Sequence, residues 1–153
     1  MKFAPKSVFG IIAGGILLSS SAFALDTGAV SAGAFHPASN ADVPYITDYG
    51  EYVTNSDSSA SHWVSGHLGL YNGTSQSITF MGDNNGGTLT CYVFVVAESN
   101  LNTNFYSNST TVNGTYGITV TVPASLTSPA VLSGYCSIPA HNANGYSEMY
   151  LVK

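Results

Sequence analysis

From Tyr45 to the C-terminus, apolar and polar side chains tend to alternate at every second position, which is the period of a β-strand with one buried face. The clearest example is residues 115–122. One face of this run carries Tyr116, Ile118, Val120 and Val122, while threonine and glycine occupy the other. The pattern predicts a strand with one face in a core and the other in water.

Two more runs carry the cysteines of the chain. Residues 89–96 are apolar on both faces, with Cys91 on one and Tyr92 on the other, which predicts a central strand covered on both sides. Residues 130–138 alternate again, and Cys136 belongs to the inward set. Both cysteines are therefore expected to point into the core.

The remaining pattern predicts only strands and turns. Further strands are expected near residues 45–54, 62–71, 76–81 and 146–152, with a weaker one near 104–106. Tight hairpin turns are expected at 72–73, 82–87, 113–114 and 144–145, because Asn-Gly supplies the positive φ angles that hairpins need. No stretch shows helical periodicity with caps. About eight short strands predict an all-β fold, an antiparallel β-sandwich of the immunoglobulin-like or jelly-roll-like kind, with a barrel as second choice.

The N-terminal segment has the three parts of a secretory signal peptide. Lys2 and Lys6 form a basic start, residues 8–18 are an apolar run, and Ala22-Phe23-Ala24 places small side chains before the cut. The apolar run is too short for a membrane span, which favours cleavage over anchoring. We expect residues 1–24 to be removed, residues 25–44 to form an extended or flexible lead-in, and residues 45–153 to form a single β-sandwich domain.

Very few cations remain after this cut. Residues 25–153 contain eight acidic residues against one lysine, Lys153, which gives a formal net charge of −7. Binding to nucleic acids and to anionic lipid surfaces depends on clustered lysine and arginine, so both are excluded as partners. No later segment is long and apolar enough to span a membrane.

The even number of cysteines supports export. Cys91 and Cys136 can form only one pair, and in exported chains such a pair is usually a disulfide. A metal-binding pair or a catalytic thiol are the alternatives. The two cysteines lack CxxC spacing, and the only histidine near Cys136 is His141, so the sequence supports these alternatives weakly. We expect a Cys91–Cys136 disulfide that bridges the core.

Candidate catalytic and metal-binding side chains do not form a motif. His62 and His67 are five residues apart in a predicted strand, so they point to opposite faces and are interpreted as surface or turn histidines. Residues 82–87 contain one carboxylate, Asp83, which favours a turn over a calcium loop. No GxSxG motif is present, and spacing cannot pair the acidic residues. We therefore expect no catalytic, cofactor-binding or metal-binding residues.

Aromatic side chains are the remaining candidate for function. Tyrosine and tryptophan rings provide flat surfaces for sugars or partner proteins, although most of them serve core packing. Trp63 is the single tryptophan of the chain and lies within a predicted strand. It is the candidate ligand platform.

Three short segments carry a family resemblance. They are Gly50-Glu51-Tyr52 with Asn55, Leu89-Thr90-Cys91, and Gly134-Tyr135-Cys136-Ser137-Ile138-Pro139. These segments resemble those of small secreted bacterial β-sandwich proteins that contain a disulfide and have no assigned activity. The resemblance implies the fold and the compartment but no function. Chaperone-assembled pilins are less similar, because residues 150–153 lack their penultimate aromatic residue and glycine spacing.

These observations favour a secreted or periplasmic, non-enzymatic β-sandwich that serves as a binding or surface-structural module. Its partner is expected to be a glycan or a protein. Two alternatives stay open: a small secreted hydrolase that uses paired carboxylates, and a self-assembling subunit of a surface layer or fibre.

The processing of the chain can be tested by mass spectrometry. The exported protein is expected to have an intact mass that begins at Leu25 and to lack two hydrogens because of the disulfide. Trypsin should find no internal cleavage site, since Lys153 is the only lysine or arginine after the cut. A mass that includes Lys2 and Lys6, or tryptic fragments of the mature chain, would contradict this expectation.

Overall fold

A computed structural model describes residues 30–98, 101–124, 126 and 129–153. The expected signal peptide and residues 25–29 lie outside the described residues. Eleven strands and one short 3₁₀ turn, Ala32–Ala34, occur in this part of the chain. The strands are β1 Val30–Ser31, β2 His36–Pro37, β3 Ile46–Asp48, β4 Val53–Asn55, β5 His62–Tyr71, β6 Gln76–Asn84, β7 Leu89–Ala97, β8 Thr103–Thr110, β9 Gly114–Val122, β10 Ala130–Ile138 and β11 Glu148–Val152.

The strands form two antiparallel sheets. Sheet A has the order β3-β4-β11-β6-β9, and β1 also pairs with β11. Sheet B has the order β2-β5-β10-β7-β8. The predicted β-sandwich is confirmed, and the sheets do not close into a barrel.

The core lies between the inner faces of the two sheets, and the predicted periodicity places its side chains correctly. The inward residues of β9 are buried, as are those of β7 and β10. Cys91 and Cys136 are fully buried and directly opposite one another on neighbouring strands. They form the expected disulfide. The bond joins two strands of sheet B, however, and does not cross the core from one sheet to the other.

Most of the predicted turns are present, but they do not form hairpins. Gly73, Gly114 and Gly145 all have the expected positive φ angles. Each of these turns connects a strand of sheet B to a strand of sheet A, and so does the segment from Asn85 to Thr88. Asn-Gly fixes the direction of the local backbone, whereas the sheet that each strand joins is decided by which face must be buried.

The expected strand at residues 45–54 is two strands. A tight turn separates β3 from β4, with the Tyr49 N–H donating to the Tyr52 carbonyl at 2.9 Å. Gly50 adopts a φ of 82°, and its N–H donates to the Asp48 carboxylate at 2.7 Å. The weak strand expected near residues 104–106 is the eight-residue β8.

The segment expected to be a lead-in contributes from residue 30 onward to both sheets. Phe35 is fully buried and meets the Phe80 ring edge-to-face at 6.3 Å between centroids. Gly66 and Gly134 lie opposite one another in β5 and β10, and a Cβ at Gly66 would come within 2.7 Å of the Phe35 ring. The two glycines therefore leave a slot in sheet B, and the Phe35 ring fills it.

Phe35→Ala should lower the free energy of unfolding by about 3 to 5 kcal/mol, because the slot would become a cavity that the glycines cannot close. Chemical denaturation followed by circular dichroism measures this change. Phe105→Ala is the matched control, since Phe105 is 63% exposed and its truncation should change stability little. Equal losses for the two variants would show that Phe35 is not a core anchor.

Candidate functional site: an aromatic face on sheet B

Trp63 lies on the outer face of sheet B with four other aromatic residues. Its side chain is 37% exposed, and its ring centroid is 5.8 Å from that of Tyr92. The aromatic face, as we name it, consists of Trp63, Tyr92, Phe94, Phe105 and Tyr135. Together these five side chains come from four neighbouring strands, β5, β10, β7 and β8.

The rings of the aromatic face are in continuous contact. Phe94 is the hub, with centroid distances of 4.9 Å to Tyr135, 6.0 Å to Phe105 and 6.2 Å to Tyr92. Tyr92 also lies 6.2 Å from Phe105. Offset and tilted pairs at these distances attract one another, so the rings support each other without a covering layer.

Strand register brings these side chains together. Tyr92 is directly opposite Tyr135, and Phe94 is directly opposite Phe105. Because alternate residues of a strand point to the same side, Tyr92 and Phe94 share the outer face. The disulfide at the neighbouring Cys91 and Cys136 holds the same two strands in this register.

The surroundings of the aromatic face are polar but uncharged. Outward positions of β5, β7, β8 and β10 carry serine, threonine, His67 and a few aliphatic side chains, and none is Asp, Glu, Lys or Arg. None of the eight acidic residues of the chain therefore lies at an outward position of these strands. The arrangement can stack on a flat apolar surface while hydroxyl groups at its margin form hydrogen bonds.

Sequence reasoning identified Trp63 but missed its four neighbours. Tyr92 and Phe94 were expected to lie under a second covering layer, yet both are only half-buried. That expectation was wrong because an apolar outer face has the same sequence pattern whether another layer covers it or it stays in part exposed. Phe105 lay in a strand too weakly patterned to be assigned a face.

A second cluster lies beneath the edge of the aromatic face. The His62 imidazole contacts two carboxylates, with Nδ1 at 3.0 Å from Asp42 and Nε2 at 2.9 Å from Asp57. Tyr45 stacks on the imidazole at 4.2 Å. His62 is buried, so its interpretation as a surface histidine was wrong. His67 is exposed on the opposite face, as expected.

The His62 cluster is electrostatic in character. Burial disfavours the charged imidazole, but the hydrogen bonds to Asp57 and Asp42 outweigh it and raise the pKa of His62 above 6.5. Burial also opposes ionisation of Asp42, while hydrogen bonds from Ser39, from the Trp63 N–H and from His62 lower its pKa. The hydrogen bond from His62, with those from Ser59, lowers the pKa of Asp57.

This cluster holds the backbone of Trp63 and does not resemble a catalytic triad. Both imidazole nitrogens of His62 are engaged by carboxylates, so neither is available to take a proton from a serine hydroxyl. Asp42 also accepts a hydrogen bond from the Trp63 N–H at 3.1 Å. The Trp63 carbonyl accepts one from Ala38. The N-terminal segment thus fixes the backbone that carries the indole.

Two other acidic residues meet on sheet A. Asp83 and Glu148 are directly opposite one another on β6 and β11, and the Tyr150 hydroxyl lies 2.7 Å from the first carboxylate and 2.6 Å from the second. Glu148 lines a neighbouring groove, but Asp83 does not. A hydrolase with two carboxylates facing one substrate is therefore not favoured by this pair.

Other candidate features carry no assembled site. Within the described residues, no group of three or more His, Cys, Asp or Glu side chains is placed to hold a metal ion. Asp83 and Asn84 belong to β6, so residues 82–87 are only partly a loop. No helix in the described part of the chain is long and apolar enough to cross a membrane.

Comparison with known proteins gives one structural likeness. No protein-family model matches the chain, and no curated protein matches it. A solved structure of the CBM22-2 xylan-binding domain of Xyn10C from Paenibacillus barcinonensis is similar with a TM-score of 0.43 and 13% sequence identity. The match covers 67% of this chain and 76% of that one.

The His62 cluster predicts a pH-dependent stability. Because the folded pKa of His62 lies above the unfolded value of 6.5, its contribution is complete below that pH and is lost as pH rises through the raised pKa. Asp42 and Asp57 have folded pKa values below 3.8, so their contribution is present above that pH and is lost on further acidification.

The difference in unfolding free energy between the native chain and His62→Gln should therefore be largest between about pH 4 and 6.5 and smaller at alkaline pH. Urea denaturation at a series of pH values measures it. His67→Gln is the control, because that histidine is exposed on the other face of β5. A difference that stays constant across this range would argue against an ionic cluster.

Proposed function

We propose that this chain is an exported, non-enzymatic binding module that holds a neutral glycan on its aromatic face. The observation that carries the proposal is the continuous contact of five aromatic rings across four strands of an uncovered sheet face. These rings are not part of the core, because the core is built from the inward side chains of the same strands. An uncovered aromatic patch on an exported protein is typical of a surface that binds something.

The chemistry of the face favours a sugar over a protein or an ionic ligand. Pyranose rings present flat C–H surfaces that stack on aromatic rings, and their hydroxyl groups pair with side chains at the margin. Serine or threonine occupies an outward position next to a ring on each of the four strands. No charged side chain of these strands faces the ligand, so an anionic or cationic polymer would find no partner there.

Export is supported by the disulfide between Cys91 and Cys136, because such bonds persist in oxidising compartments. The resemblance to small secreted bacterial β-sandwich proteins agrees with a role outside the cytoplasm. We propose a secreted or periplasmic location, with the module acting at a polysaccharide surface.

Trp63→Ala should reduce affinity for a bound neutral polysaccharide about tenfold, because one stacking surface at the edge of the face is lost. Affinity electrophoresis against a panel of neutral polysaccharides, with reducing-sugar release assayed in the same samples, is the measurement. Leu70→Ala is the matched control, since Leu70 lies on the same strand, is 40% exposed and has no aromatic ring. Circular dichroism confirms that both variants are folded.

Three results would overturn the proposal. Equal retardation of Trp63→Ala and the native chain would move the site elsewhere. Release of reducing sugar would favour the carboxylate hydrolase. Dimerisation that depends on concentration and disappears in Trp63→Ala would assign the aromatic face to self-assembly, with no glycan partner.

A further inference from the structure

A groove on sheet A forms a second candidate site, on the opposite sheet from the aromatic face. It has a volume of about 230 Å³ and lies where β3, β4 and β11 meet. The tyrosine groove, as we name it, is lined by Thr47, Tyr49, Tyr52, Thr54, Ser56, Tyr146 and Glu148. Three tyrosine rings, two threonines, one serine and one carboxylate therefore line the same space.

Each exposed tyrosine ring of the groove packs on another ring on one side, Tyr146 on His141 at 5.1 Å between centroids, and keeps part of its surface in solvent. Tyr49 and Tyr52 stack at 4.7 Å, and Tyr150 meets Tyr52 edge-to-face at 5.9 Å. Tyr49 is 59% exposed and Tyr146 is 48% exposed. Since the face of an aromatic ring carries negative potential, an exposed tyrosine ring attracts a cation.

The Tyr150 hydroxyl lies between more acceptors than it can serve. Asp83 and Glu148 both approach this oxygen within hydrogen-bond distance. A phenol has one proton, so it can donate to only one of two ionised carboxylates at a time. Burial, together with the hydrogen bonds to Glu148 and Asp83, raises the pKa of Tyr150, and the phenol keeps that proton. Two carboxylates therefore compete for one donor.

No lysine or arginine side chain of the described residues lies beside this pair of carboxylates. Lys153 is the only lysine or arginine among them. Glu148 begins β11, whereas Lys153 follows the other end of this strand, where its backbone pairs with Thr79. The net charge of −7 expected for residues 25–153 adds a long-range attraction for cations. A positively charged ligand is the partner that this site lacks.

We propose that the tyrosine groove binds an alkylammonium group, with Glu148 as counter-ion and the Tyr49 and Tyr146 rings as its apolar walls. An inorganic cation is less suitable, because it would leave the aromatic walls without a contact. A quaternary or a primary ammonium group has both the charge for Glu148 and the alkyl surface for the rings. This inference does not depend on the glycan proposal, since it concerns the other sheet.

Isothermal titration of the intact protein with choline tests the groove. Saturable binding is expected, and dimethylbutanol, the uncharged isostere of choline, should bind about tenfold more weakly or not at all. Nα-acetyl-lysine amide is titrated in parallel. Tighter binding of choline assigns a quaternary group as the natural ligand, and tighter binding of the lysine amide assigns a protein side chain.

Glu148→Gln should weaken choline binding about tenfold, because the charged partner is removed while the shape is kept. Glu98→Gln is the matched control: it removes the same charge from an exposed position at the end of β7 and should leave binding unchanged. Trp63→Ala should also bind choline normally, which keeps this test separate from that of the glycan site. Equal binding of choline and its isostere, insensitivity to Glu148→Gln, or no binding of either ammonium probe would overturn the inference.

Discussion

The register of β10 against its two neighbours is the constraint on which the surfaces of this molecule depend. On one side the disulfide joins Cys136 to Cys91 of β7. On the other side Gly134 faces Gly66 of β5, and the Phe35 ring occupies the slot between the sheets. A slip of β10 by one residue would turn Tyr135 inward and Cys136 outward, so a shifted pairing is incompatible with both restraints.

The same arrangement explains why the two outer faces of the sandwich differ. Sheet B carries aromatic rings and hydroxyl groups, whereas the carboxylates of Asp83 and Glu148 lie on sheet A. Asp42 and Asp57 both form ion pairs with His62, so their charges are balanced in part within the protein. The result is one neutral aromatic face and one acidic tyrosine groove on a single small scaffold.

Sequence periodicity predicted the strands and their buried faces well, because a two-residue alternation is a direct consequence of burying one side of a sheet. Cys91, Cys136 and the inward residues of β9 were all placed correctly. Pairing between strands was harder, since Asn-Gly turns look the same whether the next strand joins the same sheet or the other one. Two cysteines allow only one disulfide, so its two residues could be predicted. Whether the bond lies within one sheet or between the two sheets could not.

The candidate sites were predictable only in part. Trp63 stood out as the single tryptophan, but its contact with Tyr92 depends on β10 lying between β5 and β7, which no local pattern encodes. The burial of His62 was missed for the same reason, because Asp42 and Asp57 reach it from separate loops. The anchoring role of Phe35 was missed because a lone phenylalanine among small residues has no periodicity to reveal its partner.

The alternation of successive strands between the two sheets also has a kinetic consequence. From β5 to β11 the chain crosses from one sheet to the other at five of its six connections, and few strands pair with their nearest neighbour in sequence. Topologies dominated by such distant pairings fold slowly, because the entropy of closing long loops is lost before the strands form stabilising contacts. Such a chain is expected to stay unfolded for longer than one built from local hairpins, and the bond between Cys91 and Cys136 then favours the compact state by restricting the unfolded chain.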